Sequence, residues 1–226
     1  MPNSLKSVGT FFVLLGFVFG VCFIVVTPPF QVPDAQSHYL RAYEISEGEL
    51  LGVNKMHKSG GYFPQQVFDM QNSFHYLQSP WNSSNWSAEK LSYWSIKYPL
   101  FKSEFQYTDS GQRAFHVVVG TNSYPPLLYI PWAAVMLLGR VVHLKLLFTY
   151  YICEFFNLLL FLYIGRKSIL LVSTDISYLF ALVLLSPMSL SLATSVNPNG
   201  ILIALSSFLA GLFYKNVHEA SRELSR

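Results

Sequence analysis

Charged residues are scarce in this chain of 226 residues, since Asp, Glu, Lys and Arg together make up only 12% of it. That share is about half of what an ordinary soluble domain carries. The formal net charge is +3, and the 15 basic residues are scattered along the chain. A nucleic-acid-binding protein would concentrate its basic residues in a patch. The composition therefore argues against a soluble domain and against a nucleic-acid partner.

Cysteine is nearly absent, and the two cysteines, Cys22 and Cys153, both lie in apolar runs. Two such thiols do not form a disulfide framework and cannot build a zinc site alone. No His and Cys residues have the spacing of a zinc motif. The one metal site left open by the sequence is a divalent cation held by Asp34 with Glu44 or Glu47.

Hydrophobic residues, in contrast, make up 52% of the chain and form five apolar runs. The first run, residues 8–26, carries no charge and is long enough to cross a bilayer. A cleaved signal peptide is the alternative, but Thr27-Pro28-Pro29 does not resemble a cleavage site. The other runs are residues 124–138, 146–164, 176–193 and 201–214. Because their connections are short, they predict antiparallel helical hairpins.

These runs predict an all-α membrane protein with about four or five transmembrane helices and a large extracytoplasmic loop after the first helix. The expected domains are the first transmembrane helix (8–26), the loop with a juxtamembrane helix (27–123), a helical membrane bundle (124–214) and a polar C-terminal tail (215–226). The loop is also rich in aromatic residues, which would either stack on sugars or form a small core and an interfacial belt.

Two topologies remain open. If residues 124–138 cross the membrane, Arg166 and Lys167 fall outside, against the tendency of basic residues to remain inside. If that segment is re-entrant or interfacial, as its prolines permit, both basic residues fall inside. Residues 195–200 then emerge on the same side as the long loop.

The most informative segment follows the first span directly. Asp34 comes after a proline as a natural N-cap or first-turn residue of a helix, and Gly48 offers its C-terminal stop. Asp34, His38 and Arg41 are spaced i, i+4 and i+7, which places them on one helix face. Asp34 could be a helix cap, a general base at the membrane surface, or both at once. His38 and Arg41 could orient it or contact a lipid phosphate.

Residues 28–48 read P-P-F-x-x-P-D-x-x-S-H-Y-x-R-A-x-x-I-S-x-G. This pattern resembles the opening of a family of predicted bacterial multi-span membrane proteins of unassigned function. That family is itself similar to the GT-C superfamily of polyprenol-dependent glycosyltransferases. Two later patches match as well: Tyr124-Pro125-Pro126-Leu127-Leu128-Tyr129 with Pro131, and Pro187 with Ser195-Val196-Asn197-Pro198-Asn199. On these residues the chain resembles a short or truncated member.

The resemblance implies a multi-pass protein of the bacterial inner membrane with the long loop outside. It would transfer a sugar from a polyprenyl-phosphate donor to a surface-glycan acceptor, so its partners would be membrane lipid, donor and acceptor. In the GT-C superfamily an acidic residue of the first extracytoplasmic loop is the catalytic base, and Asp34 matches it. Arg41 is the first choice to hold the phosphate. The candidate substrate-binding residues are His38, Arg41, Tyr124, Glu154 and Asn199.

Glu154 stands in the middle of an apolar run, where an ionisable group costs several kcal/mol unless it is paired or faces water. With Asn157 and Tyr150 it could form a hydrogen-bonded cluster that joins helices, or it could serve transport or proton relay. Two other functions therefore stay open: a non-catalytic protein that assists polysaccharide assembly or export, and a small transporter that uses Glu154.

Overall fold

The computed structural model describes residues 3–55, 58–75, 112–118 and 120–224. Most of the loop aromatics expected to stack on sugars or form a core, from Tyr76 to Tyr107, lie outside the described residues. The chain divides into two compact units. We call Met1–Val26 with Glu154–Arg226 the membrane unit, and Thr27–Cys153 the loop unit. The domain boundaries expected from the sequence stay a prediction.

The described residues form helices throughout the chain and a small sheet in the loop unit. In chain order these elements are α1 (Asn3–Val26), α2 (Ala35–Ser46), β1 (Val53–Lys55), β2 (Lys58–Pro64), α3 (Gln65–His75), β3 (Arg113–Val117), a 3-10 helix (Pro126–Tyr129), α4 (Ile130–Val141), α5 (Leu146–Ile169), α6 (Thr174–Leu184), α7 (Pro187–Ala193) and α8 (Pro198–Leu224).

The predicted helical membrane fold is confirmed. Among the described residues, three helical stretches are long and apolar enough to cross a membrane: Lys6–Val26, Leu146–Ile169 and Pro198–Ser221. The α6–α7 pair, bent by 64°, makes a fourth if it is counted as one span. The bend has a local cause, because Pro187 begins α7 and a proline disfavours helical geometry in the residue before it. The large loop follows the first of these helices, as expected.

In the membrane unit, α1 packs closely against α5 through small residues. A Cβ atom on Gly16 would lie 2.5 Å from Leu162 Cδ2, and one on Gly20 would lie 2.5 Å from Leu158 Cδ1. Gly16 and Gly20 form the Gly-x-x-x-Gly spacing that lets membrane helices approach closely. As residue numbers increase along α1, the numbers of the contacting residues decrease along α5, so the two helices are antiparallel.

The bent pair is fixed to the middle of α5 by one side chain. Asn157 Nδ2 donates to the carbonyl oxygens of Ser195, at 2.8 Å, and Leu192, at 3.4 Å. These carbonyls lie at and just beyond the C-terminal end of α7, where a helix leaves acceptors without helical partners. Asn157 therefore satisfies backbone groups that would otherwise be costly to bury in an apolar unit.

In the loop unit the structure adds an antiparallel sheet in the order β1-β2-β3, which the sequence had not predicted. Gly60 pairs with Val53 on one side and with Val117 on the other. A side chain at Gly60 would collide with the carbonyl oxygen of His116 on β3. The close approach of these strands thus depends on a glycine at this position.

The helix after the first span, α2, is present with the predicted limits, and Gly48 behind it has a φ of 89°. The sequence predicted a juxtamembrane helix, and the structure adds that nearly all of it is buried. All of its residues except Gln36 and Ser37 are buried, including His38, Arg41 and Glu44. Because these polar side chains find partners inside the loop unit, the helix can be the core of that unit.

We predict that Gly20→Leu destabilises the membrane unit by about 1–3 kcal/mol, the usual cost of overpacking a close contact. The added side chain would push α1 away from Leu158. Thermal unfolding in detergent measures the effect. Val18→Leu is the matched control, since Val18 lies between the two glycines and is 55% exposed. Equal stability of both variants would contradict the packing described.

Candidate functional site

Asp34 occupies the N-cap position of α2, as the sequence predicted, but in an uncommon conformation. Its φ of 61° and ψ of 2° are left-handed, a region that Asp tolerates better than most residues. Its side chain makes no capping hydrogen bond to α2, and the residue is exposed. The carboxylate is therefore not occupied by the amides of its own helix.

The segment that leads into Asp34 is anchored by Phe30. Phe30 also has a positive φ, 64°, which costs a bulky residue of the order of 1–3 kcal/mol. Its N–H donates to Tyr150 Oη at 3.1 Å, and its ring centroid lies 4.6 Å from that of Tyr150. These contacts fix the conformation of the backbone just before α2.

His38, one turn after Asp34, is buried and bonded to a residue far away in the sequence. Its Nδ1 lies 2.7 Å from Tyr129 Oη. Burial lowers the pKa of His38, while the negative charge of Asp34 acts in the opposite direction with a smaller effect. Burial also raises the pKa of Tyr129. At neutral pH the contact therefore joins a neutral imidazole to a neutral phenol.

Arg41 is 1% exposed and ties three segments of the loop unit together. Its Nη1 donates to Glu44 Oε2 at 3.2 Å, within α2. Its Nη2 donates to the carbonyl oxygens of Leu50, at 2.7 Å, and Tyr124, at 3.2 Å. Both Nη atoms are thus occupied, and Nε is buried without a hydrogen-bond partner among the described residues. The expected phosphate-binding role of Arg41 stays a prediction.

Glu44 carries the one carboxylate of α2 that is almost completely buried, at 2% exposure. One oxygen accepts from Arg41, while Oε1 has no hydrogen-bond partner among the described residues and lies against Gly61. Burial raises the pKa of Glu44 from its ordinary value of 4.5 to about 7, although the Arg41 charge opposes this. The pair is therefore poised between an ion pair and a neutral acid beside an arginine.

Glu47, just after α2, joins the helix to two other elements. It accepts from Arg113 on β3 through both oxygens, and from Arg140 Nη1 on α4 at 2.9 Å. Arg140 Nη2 also donates to the Ser46 carbonyl at 2.7 Å. Glu44 and Glu47 thus both bond to arginine, and the divalent-cation site that the sequence left open for them with Asp34 stays a hypothesis.

No group of three or more His, Cys, Asp or Glu residues in the described ranges is placed to hold a metal ion.

Tyr124 lies close to His38 and Arg41 without being buried. Its side chain is 46% exposed, and its ring centroid lies 6.1 Å from that of His38. The structure thus brings His38, Arg41 and Tyr124 together within the loop unit that also contains Asp34.

The other two predicted substrate residues, Glu154 and Asn199, lie in the membrane unit. Glu154 is buried at 4% exposure within the candidate span α5. Asn199 is exposed in the first turn of α8, and its N–H donates to Asn197 Oδ1 at 2.9 Å. Asn197 therefore acts as the cap of α8. The predicted cluster of Glu154 with Asn157 and Tyr150 stays a prediction.

Two residues of the site were not singled out from the sequence in these roles. Tyr129 ends the Tyr-Pro-Pro patch, and its bond to His38 spans 91 residues. Glu44 is the i+3 neighbour of Arg41, a spacing that favours an ion pair on a helix. The second signal could have been found in the sequence, whereas the first depends on the folded loop.

Chemically, the loop unit presents an exposed carboxylate on a helix that is fixed by buried polar bonds. Such a carboxylate can accept a proton from a hydroxyl group brought within hydrogen-bond distance. The neutral imidazole of His38 lies one turn away and does not neutralise it.

Comparison with known proteins gives one match. The model of a family described as "Predicted membrane protein (DUF2142)" matches residues 17–226. The match thus includes the Asp34 segment, the Tyr-Pro-Pro patch and the Asn-Pro-Asn patch. No curated protein and no solved structure matches the chain.

We predict that Glu44 makes the stability of the loop unit depend on pH between about 4.5 and 7. The folded state retains the proton at a higher pH than the unfolded chain does. Stability is therefore greatest below this window and falls as the pH rises through it, by at most about 1.4 kcal/mol per pH unit. Hydrogen exchange of the α2 amides, corrected for the intrinsic rate, measures the slope.

The contribution of Glu44 is the difference between the pH slopes of stability of the wild type and Glu44→Gln. His38 contributes a slope of opposite sign to both proteins, so its effect cancels in this difference. Glu44→Gln should remove the downward slope, whereas Glu219→Gln, at a 60% exposed side chain, should retain it. An unchanged slope in Glu44→Gln would show that Glu44 titrates normally.

Proposed function

The chain belongs to the DUF2142 family of predicted membrane proteins, and on that premise we propose that it is a GT-C-like membrane glycosyltransferase or a degenerate relative of one. It would transfer a sugar from a polyprenyl-phosphate donor to a surface-glycan acceptor. The proposed location is the bacterial inner membrane, with the loop unit outside. The candidate spans support the contact with membrane lipid that a polyprenyl donor requires.

The observation that carries this proposal is the state of the Asp34 carboxylate. It is exposed and makes no capping bond to its helix. In the proposed reaction it removes the proton of the acceptor hydroxyl, whose oxygen attacks the anomeric carbon of the donor. The bond from that carbon to the phosphate oxygen breaks, the polyprenyl phosphate leaves with the electron pair, and the anomeric centre is inverted.

The contacts behind Asp34 support a rigid base. His38 is bonded to Tyr129, and Arg41 is bonded to Glu44, Leu50 and Tyr124. Side chains that are held by buried hydrogen bonds restrict the movement of the helix to which they belong. We therefore assign His38 and Arg41 to positioning the base first, with contact to the phosphate as their further proposed role.

A non-catalytic role in polysaccharide assembly or export is the second candidate. It is favoured by the pairing of Glu44 and Glu47 with arginines, which leaves Asp34 without a second free carboxylate from the same segment. A transporter that uses Glu154 is the third, because that carboxyl group is buried within a candidate span. The two experiments below separate these functions.

We predict that Asp34→Asn lowers sugar transfer by about 10²–10⁴-fold, the usual contribution of a general base, with unchanged melting in detergent. Transfer is measured in membranes that contain the full chain, from a panel of radiolabelled polyprenyl-phosphate hexoses to extracted cell-surface glycan. Asp69→Asn is the matched control, since Asp69 is another exposed aspartate of the loop unit. A scaffold would be indifferent to both changes, and full activity in Asp34→Asn would remove the base assigned here.

For Glu154, we predict that Glu154→Gln leaves the transfer rate within a few-fold of the wild type, because an amide can retain most hydrogen bonds of a buried carboxyl group. Uptake of the free sugars into vesicles is measured beside transfer. Uptake by the wild type that is lost in Glu154→Gln, without any transfer, would favour the transporter.

A further inference from the structure

The direction of two helices in the membrane unit restricts the topology of the whole chain. Along α1, Gly9, Gly16 and Gly20 come successively closer to its C-terminal end. A Cβ atom on each would lie within 3.5 Å of Arg166, Leu162 and Leu158 respectively, in descending order along α5. The two candidate spans are thus antiparallel. If α1 leads out of one face of the bilayer, α5 starts from that face and returns.

The chain between α1 and α5 must therefore cross the bilayer an even number of times. In the described residues of this stretch, α4 with the preceding 3-10 helix is an apolar helical segment, Pro126–Val141, below the length of a span. At about 1.5 Å per residue, α4 itself covers only about 18 Å of a hydrocarbon core of about 30 Å. The sequence of residues 76–111 holds no long apolar run that could supply a second crossing.

The buried face of α4 gives an independent reason why it does not cross. Tyr129, just before α4, is bonded to His38 near the start of α2, and Arg140, near the end of α4, is bonded to Glu47 after the end of α2. The two helices thus run side by side. A crossing by α4 would take the ion pair of Arg41 and Glu44 into the hydrocarbon, at a cost of several kcal/mol per charge.

The other face of α4, with Leu127 of the preceding 3-10 helix, is an apolar stripe. Its members recur at the i, i+3, i+4 and i+7 spacings of one helix face and are all exposed: Leu127, Ile130, Ala134, Leu137, Leu138 and Val141. The stripe includes no polar side chain, and soluble proteins rarely leave an apolar surface of this length in water.

The neighbour of α4 within the loop unit indicates what covers this stripe. A Cβ atom on Gly139 would lie 2.8 Å from Thr149 Oγ1, and the Trp132 carbonyl oxygen lies 3.9 Å from Cys153 Sγ. Thr149 and Cys153 belong to the first turns of α5, a candidate membrane span. Since α4 packs along the start of a helix that is long and apolar enough to span a membrane, lipid is the occupant that the stripe fits.

We propose that α4 is seated in the membrane without crossing it, and that its apolar stripe contacts acyl chains on the side of the bilayer where the loop unit lies. The buried face of α4 then holds α2, and with it Asp34, at the lipid surface. Arg166 and Lys167, at the end of α5, fall on the same side as Lys6 and opposite the loop. Of the two topologies that the sequence left open, this is the one in which basic residues remain inside.

Labelling of single cysteines with a membrane-impermeant maleimide tests the topology, in intact cells and in inverted vesicles. Asp69→Cys reports the side of the loop unit, Val142→Cys the end of α4, and Lys167→Cys the end of α5. The wild type is the blank, since both native cysteines lie in helices within apolar runs. We expect Asp69→Cys and Val142→Cys to react from one face and Lys167→Cys from the other. Reaction of Asp69→Cys and Val142→Cys from opposite faces would overturn the proposal.

The lipid contact is tested with spin labels at Ile130→Cys and Leu138→Cys, on the full chain in lipid nanodiscs and with Cys22→Ala as background. Labels on the stripe should collide often with oxygen and rarely with a nickel chelate. Val18→Cys on α1 is the lipid reference and Asp69→Cys the water reference. Nickel access equal to that at Asp69, or exclusion of both reagents by a covering protein, would refute the lipid contact. Neither readout depends on sugar transfer, so the outcome is separate from that of the proposed activity.

Discussion

The bonds of one buried arginine hold the loop unit together. Arg41 reaches Glu44 in its own helix, the backbone after that helix at Leu50, and the backbone at Tyr124. A buried charge is tolerated only when such partners compensate for the water it has lost. The buried position of α2 depends on this compensation, and the bonds of His38 and Glu47 add to it at the two ends of the helix.

Much of the membrane fold follows from the sequence because apolar runs of sufficient length have few alternatives in lipid. The limits of α2 were also readable, from Asp34 at its start and Gly48 behind its end. Its burial was not. The polar residues of α2 suit a helix at a water surface as well as one in a polar core, and only distant partners such as Tyr129 and Tyr124 decide between them.

The same limit applies to the candidate site. The spacing of Asp34, His38 and Arg41 shows that they share a helix, but a spacing carries no information on which side chains remain available. Asp34 is exposed, and in its left-handed conformation the side chain makes no hydrogen bond to the helix amides. The spacing made Arg41 an equal candidate for a ligand contact, but in the structure its Nη atoms bond to other residues of the loop unit. The small sheet was missed for a related reason, since its strands are short and depend on glycine.

The contact between Glu44 and Gly61 has a consequence for how such chains can change over time. A Cβ atom at position 61 would collide with Glu44 Oε1. A side chain larger than hydrogen there requires the Glu44 carboxylate to move, or a shorter residue at position 44. The two positions are thus coupled, and we expect lineages that lose the glycine to replace the buried glutamate more often than lineages that keep it.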